Sequence, residues 1–243
     1  MPSGGAPPLS LRAALSAIAR DRSWPLKALL YGALALSLIG LPLAVGFVLD
    51  SIDNSRKGYA YPLPPWTDWT IRGLSGILAM LIDFIFFVLP IIAGGMLMIC
   101  TSVGMLVAGA GGPAATSQAL ALLATLCAAV LLGVFLCGAA PLGRLLFAED
   151  GRIEDALSMR PLRLATSRGS GPIFLRARLL SLPAYLPAAL IAACVYATSR
   201  VSFPGQAIAL LCAAWLMCSA LILAHLVVGQ LYVAAERDLM RRA

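Results

Sequence analysis

Two ionisable side chains, Asp83 and His225, lie inside long apolar stretches of this sequence. Asp83 occurs in LIDFIFF, and it is the one carboxylate deep within an apolar segment. A charged side chain at the centre of a bilayer costs about 2.5–3.5 kcal/mol on insertion scales unless it is paired or faces water. Asp83 therefore either couples a proton or a cation, or bonds to a neighbouring helix, for example to Thr101.

His225, the only histidine, occurs in ALILAHLVVGQ. It could ligate haem or chlorophyll, form a proton relay with Asp83, or hydrogen-bond to another helix. Phosphate-loop and H-E-x-x-H motifs are absent from the sequence, and the six cysteines include no C-x-x-C pair. We therefore predict a protein without catalytic residues, cofactor or metal site.

The composition places these residues in a membrane protein. Hydrophobic residues make up 60% of the 243 residues and charged residues 12%, whereas soluble domains carry about 25% charged residues. We predict an all-α polytopic transmembrane helical bundle of about six segments, with five as the alternative, and with interfacial amphipathic segments. The net charge of +7 then reflects basic residues beside the spans, which meet the lipid bilayer and its anionic lipids rather than nucleic acid.

The organisation along the chain follows from the apolar runs. Residues 1–25 are predicted to be a disordered start and a short interfacial helix, with Leu11, Leu15 and Ile18 on one face, and residues 26–243 a single integral membrane domain. The predicted segments are about 26–49, two within 74–109, and about 118–138, 179–197 and 205–235. One long broken helix is the alternative for 74–109, and Pro42 allows a kink or a re-entrant shape in the first segment.

A polar, aromatic stretch, 50–73, interrupts the apolar first half of the chain. Amphipathic rings and basic side chains are typical of segments that lie along a membrane interface, and the prolines in the middle of the stretch exclude a regular helix. The candidate interfacial or partner-binding residues are Tyr59, Tyr61, Trp66, Asp68, Trp69 and Arg72.

A second polar segment, 139–178, contains seven arginines, and its part RIEDALSMRPLRLATSRG predicts an interfacial helix interrupted at Pro161. Six spans would place 14 of the 18 Lys and Arg residues on one side, and five spans would place 13 there. Both arrangements put 139–178 and the C-terminus in the cytoplasm. They differ in the side of 50–73, which is outside with six spans and inside with five. The candidate contacts to anionic lipid are Arg144, Arg152, Arg160, Arg163 and Arg168.

The order of several short motifs resembles a known family. A basic, Asp-bearing lead-in at 21–24 is followed by Gly-Phe at 46–47, Arg-Lys-Gly at 56–58, LPPWTDW at 63–69 and Gly-Leu at 73–74. This order is similar to the bacterial and archaeal membrane-protein family numbered 4013 among the domains of unknown function, mainly over residues 20–90. The chain departs from the family pattern at Phe47, where an aromatic hydroxyl is usual, and at Arg72, where an acidic residue is usual. The resemblance implies the architecture and brings no established activity.

The abundance of interfacial anchors and the scarcity of intramembrane chemistry favour a non-enzymatic scaffold or accessory subunit. It would bind lipid, a membrane-protein partner or a second copy of itself in the prokaryotic cytoplasmic membrane. The alternative is a small transporter that uses Asp83 and His225, because proline-broken spans often build transport sites. A membrane-embedded enzyme acting on lipid lacks a nucleophile and a base in this sequence. The prolines that favour transport are Pro42, Pro90, Pro183 and Pro187.

Overall fold

The computed structural model describes residues 9–37, 39–107, 113–202 and 204–242, and within these residues the regular structure is all helical. A π-helical turn, Phe84–Val88, joins the helices Trp69–Asp83 and Leu89–Val107, and a 3-10 turn, Leu182–Tyr185, joins Gly171–Ser181 and Leu186–Ser199. The first eight residues lie outside the described part of the chain. The helices are α1 Leu11–Ala19, α2 Trp24–Ala35, α3 Leu41–Arg56, α4 Trp69–Asp83, α5 Leu89–Val107, α6 Pro113–Asp150, α7 Ile153–Leu157, α8 Arg160–Thr166, α9 Gly171–Ser181, α10 Leu186–Ser199 and α11 Gln206–Arg242.

The predicted class, a helical membrane protein, is confirmed. By length and composition, three helical stretches of the described chain can cross a membrane: Trp69–Cys100, Gly171–Ser199 and Gln206–Arg242. The segment predicted at about 118–138 lies within the 38-residue helix α6.

The hairpin predicted within 74–109 is wrong, and the alternative of one long broken helix is what forms. α4, the π-turn and α5 follow one another without a reversal. The π-turn ends two residues before Pro90 and shifts the register of the backbone hydrogen bonds, which accommodates the hydrogen bond that proline cannot donate. Gly94 and Gly95 stay helical because a backbone in lipid has no water with which to replace its helical hydrogen bonds.

The segment predicted at 26–49 is two helices, α2 and α3, separated by residues 36–40. Tyr31 and Asp50 both bond to the guanidinium of Arg72, although a straight helix would separate them by about 28 Å at 1.5 Å per residue. α2 and α3 must therefore fold back on each other, so the re-entrant shape is the one adopted. Pro42 lies in the first turn of α3, where a proline starts a helix rather than kinks it.

The 139–178 segment is helical instead of a loop. α6 continues to Asp150, and α7, α8 and the start of α9 follow. The break in the predicted interfacial helix falls at 158–159, and Pro161 lies in the first turn of α8. At the N-terminus, a helix forms where Leu11, Leu15 and Ile18 predicted one, and it buries Ala14 and Ile18 in the core that includes α11.

The C-terminal ends of three helices meet at Arg56. Its guanidinium lies 2.8 Å from Glu236 of α11 and 3.6 Å from Glu149 of α6. Burial opposes the charge of Arg56, but the two carboxylates raise the pKa of its guanidinium above its ordinary value. The loop 57–68 therefore leaves from the same end of the bundle as α7, α8 and the charged end of α11. We call this end of the bundle the basic end.

Two helical hairpins extend away from the basic end. α5 packs against α6, and α10 packs against the first part of α11. In the described part of the chain, α5 and α10 each pack extensively only within their own hairpin and against the adjoining turn. A cavity lies where the bases of these two hairpins meet.

The contact between α3 and α4 requires glycine at two positions. A methyl group on Gly76 would overlap the carbonyl oxygen of Pro42, and one on Gly46 would overlap the carbonyl oxygen of Arg72. Gly73, one turn from Gly76, has room, because its added methyl group would lie 3.4 Å from Leu43 Cδ2. Close helix approach through small residues is a common way to pack helices in membranes.

We expect Gly76→Ala to lower the free energy of unfolding by about 1–3 kcal/mol, because the two backbones must separate. The matched control, Gly73→Ala, should be neutral or stabilise the protein by up to about 1 kcal/mol, since alanine is the better helix former. Thermal unfolding in detergent measures both variants. Equal unfolding midpoints would contradict the close contact between α3 and α4.

Candidate functional site

The 50–73 stretch is organised around the buried guanidinium of Arg72, which is 2% exposed. Its Nε lies 2.7 Å from Asp50 Oδ2, and its other nitrogens donate to the Tyr31 hydroxyl at 2.6 Å and to the carbonyl oxygen of Pro65 at 3.0 Å. The rings of Tyr31 and Trp69 lie about 6 Å from the guanidinium carbon, within the range of a cation–π contact. Arg72 thus ties α2, α3 and the loop to the start of α4.

Side-chain donors also capture the carbonyl groups of the proline run. Proline has no backbone N–H, so this part of the loop offers acceptors that need partners. Lys27 donates to the carbonyl oxygen of Pro64 at 2.8 Å, and Asn54 donates to that of Pro62 at 3.2 Å. With the bond from Arg72 to Pro65, three donors fasten the loop, one each from α2, α3 and α4.

Lys27 is itself held by a salt bridge of 2.7 Å to Asp21, which precedes α2. Burial raises the pKa of the Asp21 carboxyl, but the hydrogen bonds from Lys27 and Ser23 outweigh it and leave the pKa below its ordinary value. The Lys27 ammonium also lies 5.6 Å from the centre of the Trp66 ring. The lead-in at 21–24 therefore helps to position the loop.

The four predicted aromatic residues of this stretch are all exposed, but to different degrees. Tyr59 and Tyr61 are about 60% exposed, and Trp66 is 39% exposed. These three residues form what we call the aromatic surface. Trp69 is 37% exposed, but its ring also lies 5.9 Å from that of Tyr31.

Two other predicted contact residues, Asp68 and Arg72, do not belong to the aromatic surface. Asp68 is exposed and has a left-handed backbone, with φ of 62°. It accepts a hydrogen bond from the neighbouring Thr67 hydroxyl at 3.0 Å. The assignment of Arg72 to a partner-binding surface is wrong, because its guanidinium is buried and bonded within the chain.

The second site is the central cavity, a space of about 510 Å³ between α3, α4, α6, α9 and α11 and the 3-10 turn. Much of its wall is apolar. It encloses both intramembrane residues that the sequence singled out, Asp83 and His225. The polar lining residues are Asp83, Arg144, Arg178, Tyr185 and His225, and the apolar ones include Leu182, Leu221 and Val228.

Asp83 is paired across helices with Arg144 of α6. Arg144 Nε donates to Asp83 Oδ1 at 2.8 Å, and a second guanidinium nitrogen contacts the other carboxylate oxygen. A bidentate pair of this kind compensates both charges and orients both side chains. Asp83 therefore bonds to a neighbouring helix, which was one of the two predicted alternatives, and the partner found is Arg144. The side chain of Thr101, the predicted partner, lies outside the described residues. Arg144 was wrongly assigned to the lipid-facing surface, because its side chain is 13% exposed and engaged with Asp83.

His225 contacts Tyr185 of the 3-10 turn. Its Nδ1 lies 3.4 Å from the tyrosine hydroxyl, a long hydrogen bond, and the two rings meet edge to face with centroids 5.7 Å apart. His225 and Asp83 line the same cavity, but the described contacts of Asp83 go to Arg144 and those of His225 go to Tyr185. The structure therefore supports a shared cavity and an interhelical contact for His225, without a direct relay pair.

Arg178 is the residue that sequence reasoning missed. Its guanidinium lies 5.8 Å from the centre of the Tyr185 ring, and among the described residues no carboxylate lies within salt-bridge distance of it. The spacing in the sequence could have indicated its position. Leu182 follows Arg178 by four residues and Tyr185 follows Leu182 by three, so the three residues share one helix face. Counted only as one of seven loop arginines, it received no site of its own.

Three of the helical segments around the cavity are irregular at its level. The π-turn begins directly after Asp83, Pro141 lies inside α6, and the 3-10 turn contains Pro183. Irregular backbone at membrane depth is tolerated where it is buried in protein or lines a cavity. These interruptions therefore belong to the construction of the cavity wall.

The other arginines predicted to contact lipid lie on the outside of the basic end. Arg152, Arg163 and Arg168 are exposed. Arg160 has a side chain 50% exposed and a weak contact of 3.7 Å to Glu149. These four arginines are exposed and accessible to a charged surface, in contrast to Arg144.

One of three comparisons with known proteins returned a match. The family model described as "Protein of unknown function (DUF4013)" matches residues 29–197, more than half of the chain. No curated protein and no solved structure matches the chain. The matched range includes Asp83, Arg144 and Arg178, and it ends before α11, which supplies His225.

Proposed function

Because the chain belongs to the DUF4013 family, whose function is unknown, we propose its role from the fold: a non-enzymatic membrane scaffold or accessory subunit. It binds a membrane-protein partner through the aromatic surface at the basic end. The exposed arginines of the same end contact anionic lipid, and this end faces the cytoplasm of a prokaryotic cell.

The observation that carries this proposal is the exposure of three aromatic rings on a fastened loop. Tyr59 and Tyr61 are about 60% exposed, while Lys27, Asn54 and Arg72 hold the loop backbone at Pro62, Pro64 and Pro65. Tyrosine and tryptophan dominate the energetic centres of protein interfaces. A loop that is already ordered loses little conformational entropy on binding, so such a surface can bind tightly.

The charges of the basic end support its orientation. Four exposed arginines lie at the same end of the bundle as the aromatic surface: Arg152, Arg160, Arg163 and Arg168. Each Lys or Arg near an anionic leaflet contributes about 1 kcal/mol of attraction. The cytoplasmic leaflet carries that negative charge, and cytoplasmic loops carry the excess of basic residues.

We expect a tagged copy, extracted in mild detergent at native expression, to co-purify one partner at stoichiometric yield. The double variant Tyr59→Ala, Tyr61→Ala should lose it, because neither side chain makes a hydrogen bond within the described chain and the fold should be preserved. This pair is a cleaner choice than Trp66 and Trp69, since the Trp69 ring supports Arg72.

The matched control is Tyr196→Ala, which removes an equally exposed tyrosine, 62%, near the opposite end of the bundle. It should retain the partner. The proposal fails if the wild-type protein runs alone or as a homo-oligomer that carries only lipid. It also fails if Tyr196→Ala reduces the yield of the partner as much as the double variant does.

Transport is the second candidate function, and one observation favours it. Asp83 and His225, the two ionisable residues of the apolar segments, line one cavity whose helices are interrupted at that level. Discontinuous helices build the sites of many transporters. Against it, both oxygens of Asp83 are bound by Arg144, which leaves no oxygen free of the ion pair for a carried cation.

A further inference from the structure

We propose that the central cavity is a binding site for an anionic phospholipid of the surrounding bilayer. Arg178 binds the phosphate, and the apolar wall holds part of one acyl chain. This inference goes beyond the proposed function, which concerns the outer aromatic surface. It rests on the charge, the shape and the depth of the cavity.

The cavity carries one uncompensated positive charge. Asp83 neutralises Arg144, whereas Arg178 has only the ring of Tyr185 against its guanidinium among the described residues. Both arginines line this cavity together with His225. An unpaired cation beside apolar surface is unfavourable, and an anion that enters the cavity removes that penalty.

The lining matches the two chemical parts of a lipid. A volume of about 510 Å³ falls within the usual range of small-molecule sites, about 300–1,000 Å³. Leu182, Leu221 and Val228 present apolar surface to an acyl chain. Arginine offers several donors in a planar fork, which suits the oxygens of a phosphate.

The cavity lies close to the charged end of the bundle, where a phosphate would be expected to lie. Val228, on its wall, precedes Glu236 by eight residues, which is about 12 Å along a helix. Glu236 belongs to the charged end of α11 and pairs with Arg56 at the basic end. The cavity is therefore just inside that end, and the exposed Leu179 and Leu182 beside it face the region that lipid occupies.

A second cavity adjoins the site at Arg178. It has a volume of about 450 Å³ and shares Arg178 and Tyr232 with the central cavity. Its wall also contains Arg168 and Ser167. Arg178 thus stands between two largely apolar cavities, and Arg168 in the second one supplies another cation for the headgroup of the same phospholipid.

The test is native mass spectrometry of the detergent-purified protein titrated with phosphatidylglycerol or phosphatidylcholine. We expect phosphatidylglycerol to bind about tenfold more tightly, since a charge-assisted contact is worth about a factor of ten or more. Arg178→Gln should weaken phosphatidylglycerol binding by about the same factor. The matched control Arg176→Gln removes the same charge from an exposed position two residues away and should bind like the wild type.

Asp83→Asn should change the affinity for phosphatidylglycerol in the opposite direction. It releases the charge of Arg144 into the cavity, so phosphatidylglycerol should bind more tightly than in the wild type. Arg178→Lys keeps the charge and should recover part of the affinity. Loss in one variant and gain in the other, both at one cavity, cannot come from misfolding.

Three results would overturn the proposal: equal binding of the two lipids, equal affinity of Arg178→Gln and Arg176→Gln, or tighter binding of oleate than of phosphatidylglycerol. The last result would make a free fatty acid the occupant instead of a bilayer phospholipid. The partner yield of Arg178→Gln in the co-purification experiment separates this proposal from the proposed function, because that variant leaves the aromatic surface intact.

Discussion

Replacing Arg72 with methionine should lower the free energy of unfolding by about 3 kcal/mol, the lower end of the ~3–5 kcal/mol lost when one partner of a buried ion pair is removed. The substitution leaves Asp50 without its cation and removes the donors to the Tyr31 hydroxyl and to the carbonyl oxygen of Pro65. The Asp50 side chain is 33% exposed, so water offsets part of the loss. Thermal or denaturant unfolding in detergent measures the difference.

The matched control is Lys57→Met, which breaks the pair between Lys57 and Asp53 on the surface of α3. The Lys57 side chain is 56% exposed, and exposed pairs contribute at most about 1 kcal/mol. Adding Asp50→Asn to Arg72→Met should recover part of the stability, because the remaining carboxylate no longer needs a cation. Equal losses for Arg72→Met and Lys57→Met would contradict the central role of Arg72.

The second large effect concerns the ion pair of the central cavity. Arg144→Met should cost about 3–5 kcal/mol, because Asp83 is then left without a partner next to apolar surface. The double variant Asp83→Asn, Arg144→Met should regain most of this loss, since two uncharged side chains need no compensation. Unfolding midpoints of the two single variants and the double variant form a cycle that isolates the coupling between the residues.

The same variants separate the two candidate functions. For a scaffold, the double variant should accumulate, keep its co-purifying partner and show no proton flux in dye-loaded proteoliposomes, like the wild type. For a transporter, the wild type should show a flux that Asp83→Asn abolishes while the protein still accumulates. An Asp83-dependent flux would therefore displace the scaffold as the function of this protein.

Parts of the site were visible in the sequence because each depends on a single residue in its local surroundings. Asp83 and His225 were recognisable as ionisable residues in apolar runs, and Tyr59 and Tyr61 as rings in a polar, proline-bearing stretch. The helix at Leu11–Ala19 followed from the spacing of its apolar residues. Their partners were not visible, because Arg144 is 61 residues from Asp83 and Tyr185 is 40 residues from His225.

The sequence by itself determined the helical membrane class, since hydropathy is a property of composition and needs no knowledge of contacts. It also determined the family, through short motifs such as LPPWTDW. Only the tertiary structure decided that α2 and α3 form a re-entrant hairpin, because the same apolar run is compatible with a kinked helix and with a chain that folds back.

Tertiary structure likewise separated the arginines, which composition had treated as equivalent. Arg72 is buried and Arg144 is neutralised by Asp83, whereas Arg178 has no carboxylate within salt-bridge distance among the described residues. The cost and the role of a charge depend on its neighbours and on its access to water within a few ångströms. Those neighbours come from distant helices, so their identity is set by how the helices rotate and cross, which no local pattern of residues records.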